Sequence, residues 1–211
     1  MVKELNIFGD IVSTIENVGE VSPLSVKNEI SGLSQDDELI VNIDCFGGGV
    51  FAAVAIRAII KNAPAKKSFN ILGICASAAN LLFDENDTVN IAKGAMVMNH
   101  KPAVGVQGDS NELRKTIEQL DKIENEILLK NLSARTKKPI DELKELIANE
   151  WWLTSDEAIL NLGFVGLNSF AVMNKAQTKQ TDIYKNYIEK KKALTVDVFK
   201  QFTNFKNQLK K

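Results

Sequence analysis

The most constraining feature of this chain is an apolar strand pattern that runs into a glycine cluster and then into an apolar helix. Residues 38–43 are typical of a buried strand, Gly47-Gly48-Gly49 follow it, and residues 50–61 have the composition of a helix. A further strand is predicted over residues 69–74, ending in a short helix that starts near Ser77. This alternation predicts an α/β domain in which a parallel sheet is covered by helices.

The remaining patterns extend the same prediction. We expect a strand over residues 5–11, a helix from Pro23 to about residue 33 capped by Ser22, short strands at 88–91 and 95–99, and a long charged helix over 111–134. At 211 residues, the chain is long enough for one large domain with a well-buried core.

Charge is unevenly distributed along the chain. Residues 175–211 hold ten Lys against three Asp or Glu, a net +7, whereas residues 1–174 hold sixteen basic and twenty-four acidic side chains, a net −8. Binding to phosphates needs clustered Lys and Arg on the folded surface. The acidic body therefore argues against nucleic acid as the main partner.

Cysteine content and hydropathy also exclude some classes of protein. Cys45 and Cys75 are too few for a disulfide framework and have no metal-ligand spacing with the single histidine, so we expect two buried thiols and no metal site. The N-terminal residues lack the apolar stretch of a signal peptide, and no run is long enough to span a bilayer. These observations predict a cytoplasmic protein with no membrane partner.

The glycine cluster is the first chemical signal. Glycines between a strand and a helix let backbone N–H groups face a ligand, but such turns are more often tight connections or phosphate cradles than oxyanion holes. The sequence from Gly47 onward matches neither Gly-x-Gly-x-x-Gly nor a P-loop, which disfavours nucleotide binding.

Ser77 and His100 are the second signal. Ser77 is surrounded by alanines, which would leave room for a substrate, and His100 is the one histidine of the chain. The alternatives are a helix-capping serine and a structural histidine. Ser77 does not belong to the α/β-hydrolase elbow, because Cys75 and Ala79 stand where that motif needs glycines.

Together, Gly47-Gly48, Gly73-Ile74-Cys75-Ala76-Ser77-Ala78 and Met98-Asn99-His100-Lys101-Pro102 resemble the Clp protease proteolytic subunit family, especially its phage and prophage members. The likeness covers residues 5–167. It implies the α/β fold shared by Clp subunits and crotonases, with repeated β-β-α superhelical units. The long helix after His100 resembles the family's protruding handle helix, and residues 151–158 resemble the segment that closes its core.

The resemblance also implies site residues. Ser77 matches the family nucleophile, His100 the base and Glu150 the orienting acid, with Asp156 as the alternative acid. The backbone N–H groups of Gly48 and Ala78 correspond to the oxyanion hole. The implied reaction is acyl transfer to Ser77 by a serine endopeptidase that needs no metal or nucleotide.

One departure from the family lies in the glycine turn. The family usually has Asn-Ser-Pro-Gly-Gly, whereas this chain has Asp44-Cys45-Phe46-Gly47-Gly48, so the turn lacks a proline that would pre-set it. The apolar edge around residues 46–51 is still predicted to bind an extended peptide as an added strand.

Partners follow from the same resemblance. Clp subunits form stacked homo-oligomeric rings fed by an ATPase through an N-terminal axial segment, and a first strand near Leu5 leaves almost no such segment. We therefore expect an ATPase-independent peptidase of phage head maturation that cleaves capsid or scaffold proteins. The alternatives are an ATP-dependent subunit working with a host ATPase, a crotonase-like acyl-CoA enzyme, and a noncatalytic phage assembly module.

The chain is expected to divide into a peptidase domain, residues 1–174, and a basic, partly helical extension, residues 175–211. The extension carries aromatics that would let an amphipathic segment dock on the acidic body, a neighbouring subunit or a capsid protein. These are Tyr184, Tyr187, Phe199, Phe202 and Phe205. Apolar positions of the long helix, from Leu113 to Leu129, would pack either on a partner ring or in the chain's own core.

Overall fold

The computed structural model describes residues 1–167, and these form an α/β unit around a mainly parallel sheet. The strands are β1 (Val2–Phe8), β2 (Asp10–Ile11), β3 (Glu20–Val21), β4 (Glu38–Cys45), β5 (Lys66–Ala76), β6 (Val89–Ala92), β7 (Met96–Asn99), β8 (Trp151–Thr154) and β9 (Val165–Leu167). The helices are α1 (Pro23–Glu29), α2 (Val50–Asn62), α3 (Ser110–Ile123), α4 (Leu129–Thr136), α5 (Ile140–Ala148) and α6 (Ser155–Leu162). The predicted α/β architecture is confirmed at this level.

Strand β5 organises the sheet because it has two partners along one edge. The main order is β1-β4-β5-β6-β9, with all of these strands parallel. Residues 69–71 of β5 pair with β6, whereas residues 74–76 pair with β7. Strand β7 in turn pairs antiparallel with β8. The carboxyl ends of β5 and β7 therefore lie side by side.

The core lies between the sheet and its helices. Leu39, Val41 and Ile43 of β4 are fully buried, as are Ile56 and Ile60 of α2. The last two are one helical turn apart and lie on the face that packs inward. Burying a side chain of this size typically contributes about 1.5–3 kcal/mol, so the β4–α2 unit next to the glycine turn is firmly held.

An asparagine ladder crosses four neighbouring strands. Asn42 donates to Asn6 (3.0 Å), Asn70 donates to Asn42 (3.1 Å) and Asn90 donates to Asn70 (2.9 Å), each from Nδ2 to Oδ1. The four residues are register partners in β1, β4, β5 and β6. A one-residue slip of any strand would separate these amides, so the ladder favours the observed register.

The long helix predicted over residues 111–134 is present but is not uniform. A capping box of Asp109 and Glu112 starts α3, and a π-helical stretch over residues 124–128 joins α3 to α4. Helix α3 has no fully buried residue, whereas Leu129 and Leu132 of α4 lie in the core. The apolar stripe is therefore covered only at its C-terminal end within residues 1–167.

Several boundaries differ from the sequence-based prediction. The strand predicted over residues 5–11 is broken at Gly9, whose φ of 99° separates β1 from β2. Helix α1 starts at the predicted Ser22 cap but ends at Glu29. Helix α5 had not been predicted. Cys45 and Cys75 are buried free thiols, as expected.

Two other predictions concern the basic extension and membrane-spanning helices. The basic extension, including the aromatics at Tyr184, Tyr187, Phe199, Phe202 and Phe205, lies outside the described residues. Across residues 1–167, none of the helices has the length and apolar character that a bilayer crossing requires.

Candidate active site

Ser77 lies at the sharp junction between β5 and a single 3₁₀ turn over residues 77–81. Its φ of 56° is unusual for a residue that is not glycine. The predicted alternative, a helix-capping serine, is wrong, because the cap residue is Ala76 and no side chain caps the turn. The Ser77 Oγ instead lies 2.7 Å from Nε2 of His100.

Parallel pairing of β5 and β7 brings these two side chains together. Ala76 is the register partner of Met98, so Ser77 and His100 both emerge just beyond the same end of the two strands. The chain therefore converts a separation of 23 residues into hydrogen-bond contact. At this distance, a neutral imidazole can accept the serine proton, the geometry that a nucleophile and its base require.

Asn80 joins the segments that carry Ser77 and His100, and no role was predicted for it from the sequence. Its buried Nδ2 approaches three backbone carbonyls, those of Cys75 (3.3 Å), Ser77 (3.3 Å) and Met98 (2.9 Å). One amide thus joins the end of β5, the serine turn and the strand that leads to His100. The available sequence signal was a polar residue in an otherwise apolar stretch after Ser77.

The glycine turn packs directly on the serine turn. A Cβ on Gly47 would lie 2.7 Å from Cβ of Ser77 and 3.0 Å from N of Ala78, closer than ordinary contacts allow. Gly47 and Gly48 also have φ values of 107° and 135°, which favour glycine. Both the close approach and the backbone conformation explain why this turn needs glycines.

Gly48 forms a short parallel bridge with Ile11 of β2. Ile11 N–H donates to the carbonyl of Gly47 (2.8 Å), and Gly49 N–H donates to the carbonyl of Ile11 (2.8 Å). These two hydrogen bonds hold the backbone of the glycine turn against β2. Helix α2 begins immediately afterwards, and its N-terminus adds positive potential.

Cys45 and Asp44 hold the turn that lacks the expected proline. Gly47 N–H donates to Sγ of Cys45 (3.2 Å), and Ile74 N–H donates to Oδ1 of Asp44 (3.0 Å) where the β4–β5 register shifts. Burial raises the pKa of the Cys45 thiol to about 12, which leaves it uncharged at neutral pH. Burial also raises the pKa of Asp44, although the Ile74 hydrogen bond opposes this shift.

Glu150 lies next to β7, the strand that leads to His100, on the side opposite β5 and Ser77. It precedes Trp151, the register partner of Asn99, so its backbone stands next to His100. Its side chain is exposed and its φ is 56°. The carboxylate accepts a hydrogen bond from the Trp152 indole N–H (3.1 Å). The structure thus brings Glu150 to the edge of the site without showing its carboxylate on the imidazole.

Asp156 occupies a different position. It belongs to the first turn of α6, beyond the end of β8 at which Thr154 pairs with Met96. Because β7 and β8 are antiparallel, this is the end of β8 remote from His100. Asp156 is also exposed. Within residues 1–167, no cluster of three or more His, Cys, Asp or Glu side chains could hold a metal ion.

A parallel α/β sheet that delivers a serine and a histidine to one edge, beside a glycine turn, is an arrangement suited to a serine hydrolase. Comparison with known proteins agrees with this chemistry. The family model described as Clp protease matches residues 15–167, well over half of the chain. The chain belongs to the Clp protease family.

One curated relative is the ATP-dependent Clp protease proteolytic subunit 3 of Rhodococcus jostii (strain RHA1). It is 26% identical over 124 residues, which cover 57% of this chain. The match spans 60% of the length of that relative.

Proposed function

We propose that this protein is a serine endopeptidase in which Ser77 is the nucleophile and His100 the base. The observation that carries the proposal is the 2.7 Å contact between Ser77 Oγ and His100 Nε2. It is supported by the φ of 56° at Ser77, because strained backbone tends to be retained where function requires it. The family to which the chain belongs makes peptides the expected substrates.

The reaction follows the two stages of acyl transfer. Ser77 Oγ attacks the carbonyl carbon of the scissile peptide while His100 Nε2 takes the hydroxyl proton. The C–N bond then breaks as this proton passes to the departing amine, leaving an ester on Ser77. Water then attacks the ester carbonyl while His100 takes one of its protons. The C–Oγ bond breaks as His100 returns this proton to Ser77 Oγ, which releases the acyl part as a carboxylic acid and restores the free serine.

We assign the oxyanion hole to the backbone N–H groups of Gly48 and Ala78. The bridge to Ile11 fixes the backbone at Gly48, and a Cβ on the neighbouring Gly47 would lie 3.0 Å from N of Ala78, so the glycine turn lies close to the Ala78 backbone. Donors fixed in this way stabilise the developing charge without reorganising during the reaction, and loss of one typically costs about 100- to 1000-fold in rate. Exposed Gly48 and Gly49 also leave this edge open to an extended peptide.

We assign the orienting acid to Glu150 rather than to Asp156. The antiparallel pairing of β7 and β8 puts Glu150 at the His100 end and Asp156 beyond the other end. Glu150 would need a rotamer change that exchanges its hydrogen bond with Trp152 for one with the imidazole. Its carboxylate would then hold the imidazole tautomer and stabilise its charged form.

Assembly into homo-oligomeric rings is also part of the proposal. Clp proteases act on protein substrates and usually form oligomeric rings. In this chain Leu113 and Ile117 of α3 are 39% and 57% exposed, and α3 buries no residue within residues 1–167. We infer that α3 is the handle helix and packs against a partner ring. The repeated β-β-α superhelical units belong to the same proposal.

The biological role is proposed to be ATPase-independent cleavage of capsid or scaffold proteins during phage head maturation. It rests on the likeness of the three site segments to phage members of the family. The Rhodococcus relative is named as ATP-dependent, which favours the alternative of a partner ATPase. Digestion of a purified capsid–scaffold assembly without nucleotide supports the maturation role. Degradation of a folded substrate only with a host Clp ATPase and ATP contradicts it.

Hydrolysis of fluorogenic peptides tests the chemistry. Wild-type protein and Ser31→Ala should cleave the same peptides at the same rate, since Ser31 is exposed and bonds only to Asn28 within residues 1–167. Ser77→Ala should lose about 10⁴-fold or more in kcat. Unchanged hydrolysis by Ser77→Ala would refute the proposal. A crotonase-like enzyme would instead turn over acyl-CoA thioesters with Ser77 and His100 both dispensable.

A further inference from the structure

An exposed tryptophan side chain lies on β8, close to the proposed orienting acid. Along this strand Trp152 is exposed whereas Leu153 is buried, the alternation expected when one face of a strand is covered. Trp151 is half-buried and packs against the core. Glu150 directly precedes the strand and is exposed, two residues from Trp152, the spacing that brings side chains to the same face.

A hydrogen bond joins these two exposed side chains. Trp152 Nε1–H donates to Oε2 of Glu150 over a distance of 3.1 Å. An indole N–H can only donate and an ionised carboxylate can only accept, so the bond has one possible direction. Because its acceptor carries a charge, this bond is stronger than one between two neutral groups.

The backbone places Glu150 near a second N–H group, that of an imidazole. The last register pair of β7 and β8 is Asn99 with Trp151, and His100 and Glu150 are the next residues on the two chains. Side chains at facing positions of antiparallel strands have Cβ atoms about 4.5–5.5 Å apart, a gap that a glutamate side chain can span. The indole and the imidazole are therefore both candidate donors to one carboxylate.

Two features allow the carboxylate to leave the indole. Within residues 1–167, β8 pairs with β7 alone, and Trp152 is 45% exposed, so its side chain can move without disturbing the packed core. Glu150 has a φ of 56°, and strained backbone of this kind tends to be retained where function requires it. The hydrogen bond with Trp152 is thus a local contact that a small side-chain movement can break.

We propose that Trp152 is a positioning residue that holds the Glu150 carboxylate in a resting position, where it does not orient His100. This inference rests on the proposed peptidase function, since the competition matters only if Glu150 acts on the base. The relative strength of the two hydrogen bonds then sets the active fraction of the enzyme. A group that covers Trp152 and accepts from its indole N–H raises that fraction.

Trp152→Phe tests the competition, because it removes the N–H donor and keeps an aromatic ring on the exposed face. We expect kcat for a fluorogenic peptide to rise by about 2- to 10-fold, the scale of one net hydrogen bond, with KM little changed. A fall in kcat would mean that the carboxylate accepts from both donors at once and that Trp152 supports the base. A fall or an unchanged kcat would each overturn the inference.

Trp151→Phe is the matched control, since it makes the same change at the neighbouring residue, whose side chain packs against the core. Its kcat should equal that of wild-type protein. An equal rise in both variants would overturn the assignment to the indole of Trp152.

A double-mutant cycle connects the effect to the carboxylate. In a Glu150→Ala background the acceptor is gone, so adding Trp152→Phe should leave kcat unchanged. A rise as large as in the wild-type background would overturn the inference, because Trp152 would then act through another group.

The indole N–H signals give a measurement that needs neither activity nor a folded Trp152 variant. The chain has two tryptophans, and Trp151→Phe identifies their two signals in a ¹H–¹⁵N spectrum. The Trp152 proton should move upfield in Glu150→Ala, because it loses a charged acceptor, and the Trp151 proton should not move. A Trp152 signal that is the same in wild-type protein and Glu150→Ala would overturn the inference.

Ser77→Ala separates this inference from the function beneath it. Peptide hydrolysis that depends on Ser77 but not on Trp152 overturns only the role of Trp152. Absence of Ser77-dependent hydrolysis from both wild-type protein and Trp152→Phe overturns the peptidase function and the inference together.

Discussion

Two parts of the site differ in how firmly the fold holds them. The first is the serine–histidine corner, formed by Ser77, Asn80 and His100, and the second is the Glu150 edge, formed by Glu150 and Trp152. At the corner, Asn80 Nδ2 donates to the carbonyls of Ser77 and of Met98, and the Ser77–His100 contact is already formed. At the edge, Glu150 is exposed and its carboxylate bonds to Trp152. The difference indicates that sheet register sets the proposed nucleophile and base, whereas the proposed role of Glu150 as the orienting acid requires a side-chain rearrangement.

The largest effect is expected from His100→Ala, which removes the proposed base from the firmly held corner. Because the chain has no second histidine to replace it, we expect kcat to fall about 10⁴-fold or more. Thermal unfolding should show an intact fold, and kinetics with a fluorogenic peptide should show the loss. Retention of more than a tenth of the activity would mean that the corner is not the catalytic centre.

Glu150→Gln tests the exposed edge and should have a smaller effect. The amide keeps the size of the side chain but loses the charge that stabilises imidazolium, so we expect kcat to fall about 100-fold. The effect should be smaller than for His100→Ala because water screens an exposed carboxylate.

Asp156→Asn is the matched control for the edge, since Asp156 is equally exposed but lies at the other end of β8. It should leave kcat unchanged. Full activity of Glu150→Gln with impaired Asp156→Asn would reverse the assignment of the acid.

Asn80→Ala should lower the free energy of unfolding and also disturb the position of Ser77 relative to His100. Loss of the clamp leaves buried carbonyls unsatisfied, so we expect the free energy of unfolding to fall by about 1–3 kcal/mol. Misplacement of Ser77 relative to His100 should also lower kcat about 10-fold or more, with little change in KM. Stopped-flow or steady-state peptide kinetics and chemical denaturation measure the two effects.

Asn70→Ala provides the comparison for this clamp, because it deletes a buried amide from the asparagine ladder of the same sheet. Its stability loss should be similar, but kcat of the folded fraction should be unchanged. If both variants lower kcat equally, Asn80 acts only through overall stability.

Asp44→Asn should have the smallest effect. Burial raises the folded-state pKa of Asp44 above its usual value of 3.8, so ionisation costs folding stability as the pH rises from 3.8 through the folded-state pKa. Asparagine can still accept the Ile74 hydrogen bond and carries no charge. We expect a small gain in the free energy of unfolding at pH 7 and little gain below pH 3.8. A loss of stability at pH 7 measured by urea denaturation would contradict this assignment.

The sequence predicted the elements of the site better than the contacts among them. Strand β4, the glycine turn and α2 were predictable because buried apolar runs and glycines have few alternatives. The role of Asn80 was not, because a lone asparagine carries no periodic signal and its three partners come from separate segments.

The break at Gly9 and helix α5 show two further limits. The apolar pattern continues through Gly9, and only the left-handed backbone there reveals that β2 turns to pair with β3. The ladder of Asn6, Asn42, Asn70 and Asn90 required the strand order before its members could be connected. The β2–β3 pairing and the asparagine ladder depend on contacts between residues distant in the sequence, which local secondary-structure propensity does not predict.

The central claim is that Ser77 is a nucleophile activated by His100. Labelling the protein with a fluorophosphonate, which reacts with activated serines, and mapping the labelled peptide tests this claim most directly. The account predicts a single adduct on Ser77 in wild-type protein, absent from Ser77→Ala and strongly reduced in His100→Ala. An adduct on a different serine, or a folded wild-type protein that remains unmodified, would contradict the account.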